Sequence, residues 1–121
     1  MATILMIEDD GNFARLVDKI MKPLGHSVIH AGTAMVGLQL AENETFELVL
    51  LDMDLPDLDG KVVATTLRAR TGMSKVPIIA VTAQSDPVAR RLALAFGCNG
   101  FISKPIDTRT FPDQVLAYLE P

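Results

Sequence analysis

The sequence predicts a doubly wound α/β fold, in which a five-stranded parallel sheet carries helices on both faces. Three observations point there: short apolar runs alternate five times with longer amphipathic stretches, three of the runs are apolar at nearly every position, and helix start and stop signals fall between them. The first run, Ile4-Leu5-Met6-Ile7, reads as a strand. Phe13, Leu16, Val17, Ile20, Met21 and Leu24 then recur at i, i+3, i+4, i+7, i+8 and i+11, the stripe of a helix facing a core. Ser27-Val28-Ile29-His30 is the second strand, followed by a helix from about Thr33 to Asn43. Leu48-Val49-Leu50-Leu51 is the third, followed by a helix from about Gly60 to Arg70 that ends near Gly72. After the fourth strand, Ile78-Ile79-Ala80-Val81, Asp86 is an N-cap, Pro87 fits the first helical position and Gly97 stops the helix, which should span 87–96. Gly100-Phe101-Ile102 is the fifth strand. Phe111, Val115, Tyr118 and Leu119 share one face of a last helix, which Pro112 forces to start around Thr110.

The chain of 121 residues suits one domain, 1–121, and 49% hydrophobic against 21% charged residues is enough to bury a core. A net charge of -4 with scattered Lys and Arg argues against nucleic-acid binding, and the one basic doublet, Arg90-Arg91, reads as a solvated helix face. The lone Cys98 cannot form an internal disulfide and reads as a small buried thiol in a reducing compartment. With no signal peptide at Met1-Ala2-Thr3 and no apolar run near the ~18 residues of a membrane span, the expected location is cytoplasmic, away from the membrane.

In open α/β sheets, chemistry sits beyond the carboxyl ends of the strands, where the strand order reverses. Those ends carry Glu8-Asp9-Asp10, then Asp52 with Asp54, Asp57 and Asp59, then Thr82, then Ser103-Lys104-Pro105; strand two ends in nothing reactive. In strand order 2-1-3-4-5, Glu8, Asp9 and Asp52 converge. Ionised neighbours of this kind raise one another's pKa unless a cation intervenes, and oxygen-only ligands suit magnesium or manganese. Asp9 and Asp52 would be direct ligands, Glu8 would act through water, and the backbone carbonyl of Asp54 would complete the set. Asp52 would then be a nucleophile toward phosphorus, with Lys104 and the Thr82 hydroxyl donating to phosphoryl oxygens. His26 and His30 lie at or near strand two, away from this cluster, and are given no role.

The segments Ile4-Leu5-Met6-Ile7-Glu8-Asp9-Asp10, Leu50-Leu51-Asp52-Met53-Asp54-Leu55-Pro56-Asp57-Leu58-Asp59-Gly60, Ala80-Val81-Thr82-Ala83 and Ser103-Lys104-Pro105 closely resemble the receiver domains of two-component response regulators, over the whole length. The resemblance implies a flavodoxin-like (βα)5 fold, with Glu8 and Asp9 as the acidic pair, Asp52 as phosphoacceptor, Thr82 as switch hydroxyl and Lys104 as the basic residue. It implies a cis Lys104-Pro105 bond and a switch role for Phe101. The phosphoryl donor would be a sensor histidine kinase or a histidine phosphotransfer protein, and the receiver would catalyse only its own phosphorylation and dephosphorylation. Its output would be a downstream protein bound on the face of helix four, strand five and helix five. Asp54 and Gln84 stand where the family tunes hydrolysis of the acyl phosphate. The ending Leu119-Glu120-Pro121 favours a stand-alone regulator over a piece of a longer one.

Two other readings compete. Leu48 through Leu55 also matches the strand-then-DxD motif of haloacid-dehalogenase-like phosphatases, in which Asp52 would be nucleophile and Asp54 general acid. Those enzymes place the motif on the first strand of a longer domain, and here no later Asp-rich metal motif follows. A flavodoxin-like cofactor module would need a Ser/Thr/Gly-rich loop after strand one, whereas Glu8-Asp9-Asp10-Gly11-Asn12 would repel a cofactor phosphate.

Overall fold

The computed structural model describes residues 1–70, 72–83 and 86–119. Strands β1 (Thr3–Ile7), β2 (Ser27–Ala31), β3 (Leu48–Asp52), β4 (Ile78–Thr82) and β5 (Gly100–Ser103) form one parallel sheet in the order β2-β1-β3-β4-β5. The strands buried on both faces are those with unbroken apolar runs: every residue of β3 and β4 is buried, and all of β1 after Thr3. β2, at one edge, keeps Ser27 and His30 in solvent.

Helices α1 (Gly11–Met21), α2 (Ala34–Asn43), α3 (Gly60–Ala69), α4 (Pro87–Ala95) and α5 (Phe111–Leu116) connect and follow the strands. Because side chains alternate across a strand, Leu5, Ile7, Val49, Leu51, Ile78 and Ala80 face α2, α3 and α4 in one core. Ile4, Met6, Leu48, Leu50, Ile79 and Val81 face α1 and α5 in the other. Four helices begin on a side-chain cap: Asp10 accepts from Asn12 and Phe13, Thr33 from Val36, Asp59 from Lys61 and Asp86 from Ala89.

Two helical expectations need correction. The buried face of α1 is Ala14, Val17 and Met21, while Leu16 is 36% and Leu24 49% exposed. Leu16 sits roughly 100° round the helix from Val17, at the margin of the stripe. Leu24 lies beyond α1 in a 3-10 turn, Lys22–Leu24, that ends on Gly25 with a left-handed φ of 87°. The last helix stops at Leu116, so Tyr118 and Leu119 fall in the turn beyond it. Tyr118 lies against Gly100, where any Cβ would collide with its ring and hydroxyl, so β5 begins on a residue without a side chain. Pro112 sits in the first turn of α5, where its missing N–H costs nothing. Among the described residues, no helix is long and apolar enough to cross a membrane.

Candidate functional site

The register of β1 on β3, with Ile7 opposite Leu51, carries Glu8 and Asp52 off the sheet side by side. Glu8, Asp9 and Asp52 each present a carboxylate oxygen within 4.8 Å of the others. Glu8 is 1% and Asp52 4% exposed, whereas Asp9 faces solvent. Local bonds aim both buried groups: the Asp10 amide donates to Glu8 Oε2 at 3.1 Å and the Asp54 amide to Asp52 Oδ1 at 2.9 Å. From the end of β5, Lys104 Nζ lies 2.7 Å from Glu8 Oε1 and 3.9 Å from Asp52 Oδ2. The lysine amide donates to the Thr82 carbonyl at 2.8 Å, and the Lys104-Pro105 bond is cis. Its ammonium also rests 4.7 Å from the centre of the Phe13 ring on α1.

Not every aspartate of the acidic loops belongs to the cluster. Asp10 and Asp59 cap α1 and α3, and Asp57 reaches across to α2, accepting from Ala34 N at 3.0 Å and Met35 N at 3.1 Å. The Ala34 bond leads in holding the Asp57 carboxyl below its ordinary value. Asp54 accepts from Thr82 Oγ1 at 2.9 Å. Phe101 is half-buried on the wall of a cleft of about 420 Å³, which Asp54, Thr82, Lys61 and the α4 residues Ala89, Leu92 and Ala93 also line. Gln84 lies outside the described residues.

Burial pushes the Asp52 carboxyl up to about 7; the Asp54 amide opposes this, the Glu8 charge adds to it and Lys104 opposes it. One lysine therefore does not neutralise the cluster. The donor set is all oxygen and its charge is under-compensated, which fits a divalent cation. Cys98 is buried and its thiol is raised to about 11, chiefly by that burial, so it is an inert core group.

Sequence reasoning missed some of this. His30 is not remote from the cluster: its Nε2 lies 2.6 Å from the backbone oxygen of Glu8, because β2 pairs with β1 up to Ala31 opposite Ile7. Phe13, read only as core, doubles as the platform under Lys104. A β-branched or aliphatic residue would have matched the same helical stripe, so the stripe carried no trace of that second role.

A family model described as the response regulator receiver domain matches residues 4–116. The chain belongs to the response regulator receiver domain family. Receiver domains are phosphorylation-dependent signalling switches that interact with histidine kinases or phosphotransfer proteins, and the match gives the phosphatase reading no support. The chain is 31% identical over 101 residues to an uncharacterised transcriptional regulatory protein, YcbL, of Bacillus subtilis, covering 84% of this chain and 43% of that protein. It is 27% identical to the polar-differentiation response regulator DivK of Brucella ovis, covering 97% of this chain and 95% of that one. The chain spans about half the length, or less, of most of the curated relatives it matches. Among solved structures, a CheY-like receiver domain protein of Methanospirillum hungatei superposes with a TM-score of 0.89 at 28% identity, over 98% of this chain and 94% of that one. The receiver domain of a Pseudomonas aeruginosa sensor histidine kinase, solved with magnesium in its active-site cleft, gives 0.88 at 26%, over 98% and 97%.

Proposed function

We propose that residues 1–121 act as one receiver unit in which Asp52 accepts a phosphoryl group from a histidine kinase or a histidine phosphotransfer protein. The observation that carries this reading is the setting of Asp52: a carboxylate 4% exposed, beside Glu8, with Lys104 at 3.9 Å. Asp52 Oδ1 is engaged by the Asp54 amide, which leaves Oδ2, on the Lys104 side, as the attacking oxygen. Transfer breaks the phosphorus–nitrogen bond of a phosphohistidine and forms an acyl phosphate on Oδ2.

Glu8, Asp9, Asp52 and the Asp54 backbone carbonyl would hold magnesium or manganese, which when bound supplies charge neutralisation for the carboxylates and for the phosphoryl oxygens. The solved Pseudomonas receiver with magnesium in its cleft supports that choice of ion. Lys104 exchanges Glu8 for a phosphoryl oxygen as a point charge, and Thr82 donates its hydroxyl to another. Phe101 follows Thr82 into the cleft, which alters α4, β5 and α5, the face offered to a downstream protein. The receiver turns over only its own acyl phosphate, and its lone buried thiol suits a reducing, cytoplasmic setting.

Intact mass spectrometry after incubation with magnesium and acetyl phosphate tests the reading. A single phosphoryl adduct is expected in the wild type and none in Asp52→Asn; an undiminished adduct on the variant overturns it.

A further inference from the structure

We propose that the Asp54 carboxylate is a latch that holds the Thr82 hydroxyl in the resting state, a side-chain role separate from the backbone carbonyl that Asp54 would lend to a metal. The inference rests on the phosphoacceptor reading of Asp52 and deepens it.

Thr82 Oγ1 donates to Asp54 Oδ2 at 2.9 Å. The backbone of residue 54 is tied the other way, its amide donating to Asp52 Oδ1 at 2.9 Å. The acceptor loop and β4 are thus joined through one residue, whose main chain faces the phosphoryl site and whose side chain faces the switch. A hydroxyl has one proton to donate. It cannot serve the Asp54 carboxylate and a phosphoryl oxygen together, so activation exchanges one charged acceptor for another. Bonds to charged acceptors are roughly twice as strong as neutral ones, so this exchange favours the resting arrangement until the phosphoryl group arrives.

Its arrival also weakens the latch. A phosphoryl group brings about 1.5 to 2 negative charges to Asp52, two residues from Asp54, and like charges drive the Asp54 carboxylate away. The side chain has somewhere to go. It is exposed at the mouth of the 420 Å³ cleft, which Lys61 also lines. Phe101 shares that cleft, so release of Thr82 and repacking of Phe101 occur in one space. The latch is closed by the bare acceptor and opened by the modification itself.

The Phe101 ring resonances, followed by NMR, read the switch between the resting protein and the protein loaded with magnesium and beryllofluoride. In Asp54→Ala without any ligand, the resonances should move toward the loaded position, with a roughly three- to tenfold rise in the ratio of active-like to resting-like molecules. Asp54→Asn, which keeps an uncharged acceptor, should fall between it and the wild type. In a Thr82→Ala background, Asp54→Ala should add nothing, because the two substitutions remove the same bond. Resting resonances unmoved in Asp54→Ala, or moved equally in the Thr82→Ala background, overturn the latch while leaving the phosphoacceptor reading intact. A wild type whose Phe101 ignores magnesium and beryllofluoride overturns the phosphoacceptor reading and the latch with it.

Discussion

On the β1–β3 side of the cleft, Glu8 and Asp52 are buried and each carboxylate is held by a backbone amide, at 3.1 and 2.9 Å. On the β4–β5 side, Thr82, Lys104 and Phe101 are held by side-chain partners or border an open cleft. The helices follow the same division. α1 buries Ala14, Val17 and Met21 and α3 buries Gly60, Val63, Ala64 and Leu67, whereas α4 buries only Ala93 and leaves Val88, Leu92 and Leu94 largely in solvent. Amide bonds fix positions and side-chain bonds can be exchanged. The half proposed to perform the transfer is thus anchored by main-chain bonds, and the half proposed to report it rests on side-chain contacts that can be exchanged.

The contrast can be broken most directly by cavity formation. Leu51→Ala, in the fully buried β3, should cost about 2–5 kcal/mol of unfolding free energy in urea titrations, whereas Leu92→Ala, 41% exposed on α4, should stay within about 0.5 kcal/mol. Equal losses would show α4 to be as tightly built as β3.

A smaller effect should come from pH. The folded state raises Asp52 from 3.8 to about 7, so between those values the native protein binds more protons than the unfolded chain. The metal-free protein should thus be more stable at pH 5 than at pH 8, with the stability contributed by protonated Asp52 lost as pH climbs through about 7. Asp52→Asn should flatten that slope. Magnesium should raise Tm more at pH 8 than at pH 5, because it competes with the Asp52 proton. A Tm indifferent to pH and magnesium would remove the electrostatic strain assigned to the anchored half.

The smallest effect should be that of Asp57→Ala, which removes from the β3–α3 loop the carboxylate that accepts from the first two amides of α2 and leaves the Thr33 cap in place. The Asp57 carboxyl is held below its ordinary value by the Ala34 amide, so its contribution is present at neutral pH and lost as pH falls through the lowered value. Thermal melts of variant and wild type should differ at pH 7 and converge in acid. Hydrogen exchange at the Ala34 and Met35 amides should locate the loss.

The strands were legible because β1, β3 and β4 are covered on both faces, so burial left unbroken apolar runs that period-two alternation could not obscure. Convergence of Glu8, Asp9 and Asp52 followed from strand order alone, since parallel strands deliver their carboxyl ends to one edge. Asp10, Asp57 and Asp59 are chemically identical to Asp9 and Asp52, so the sequence set the three site carboxylates apart only through strand order and the family resemblance, and it left the capping roles of the others unread. What separates them is the direction in which backbone amides point, a property of the folded loop. The same holds for the Asp54–Thr82 bond and for His30 on the Glu8 carbonyl. The end of α5 was overrun because Tyr118 and Leu119 continue the apolar period after the helix has stopped, and Tyr118 is placed by Gly100, eighteen positions earlier.

The ring of Phe13 under Lys104 has a practical consequence. The chain contains no tryptophan, so Phe13→Trp would introduce a single indole directly beneath the ammonium, in the ring type that holds a cation best. If Lys104 exchanges Glu8 for a phosphoryl oxygen as proposed, the electric field across that indole changes, and its emission becomes an optical record of where the lysine is. The movement of one charge at the centre of the site can then be timed in a stopped-flow fluorimeter, with no label and no partner protein.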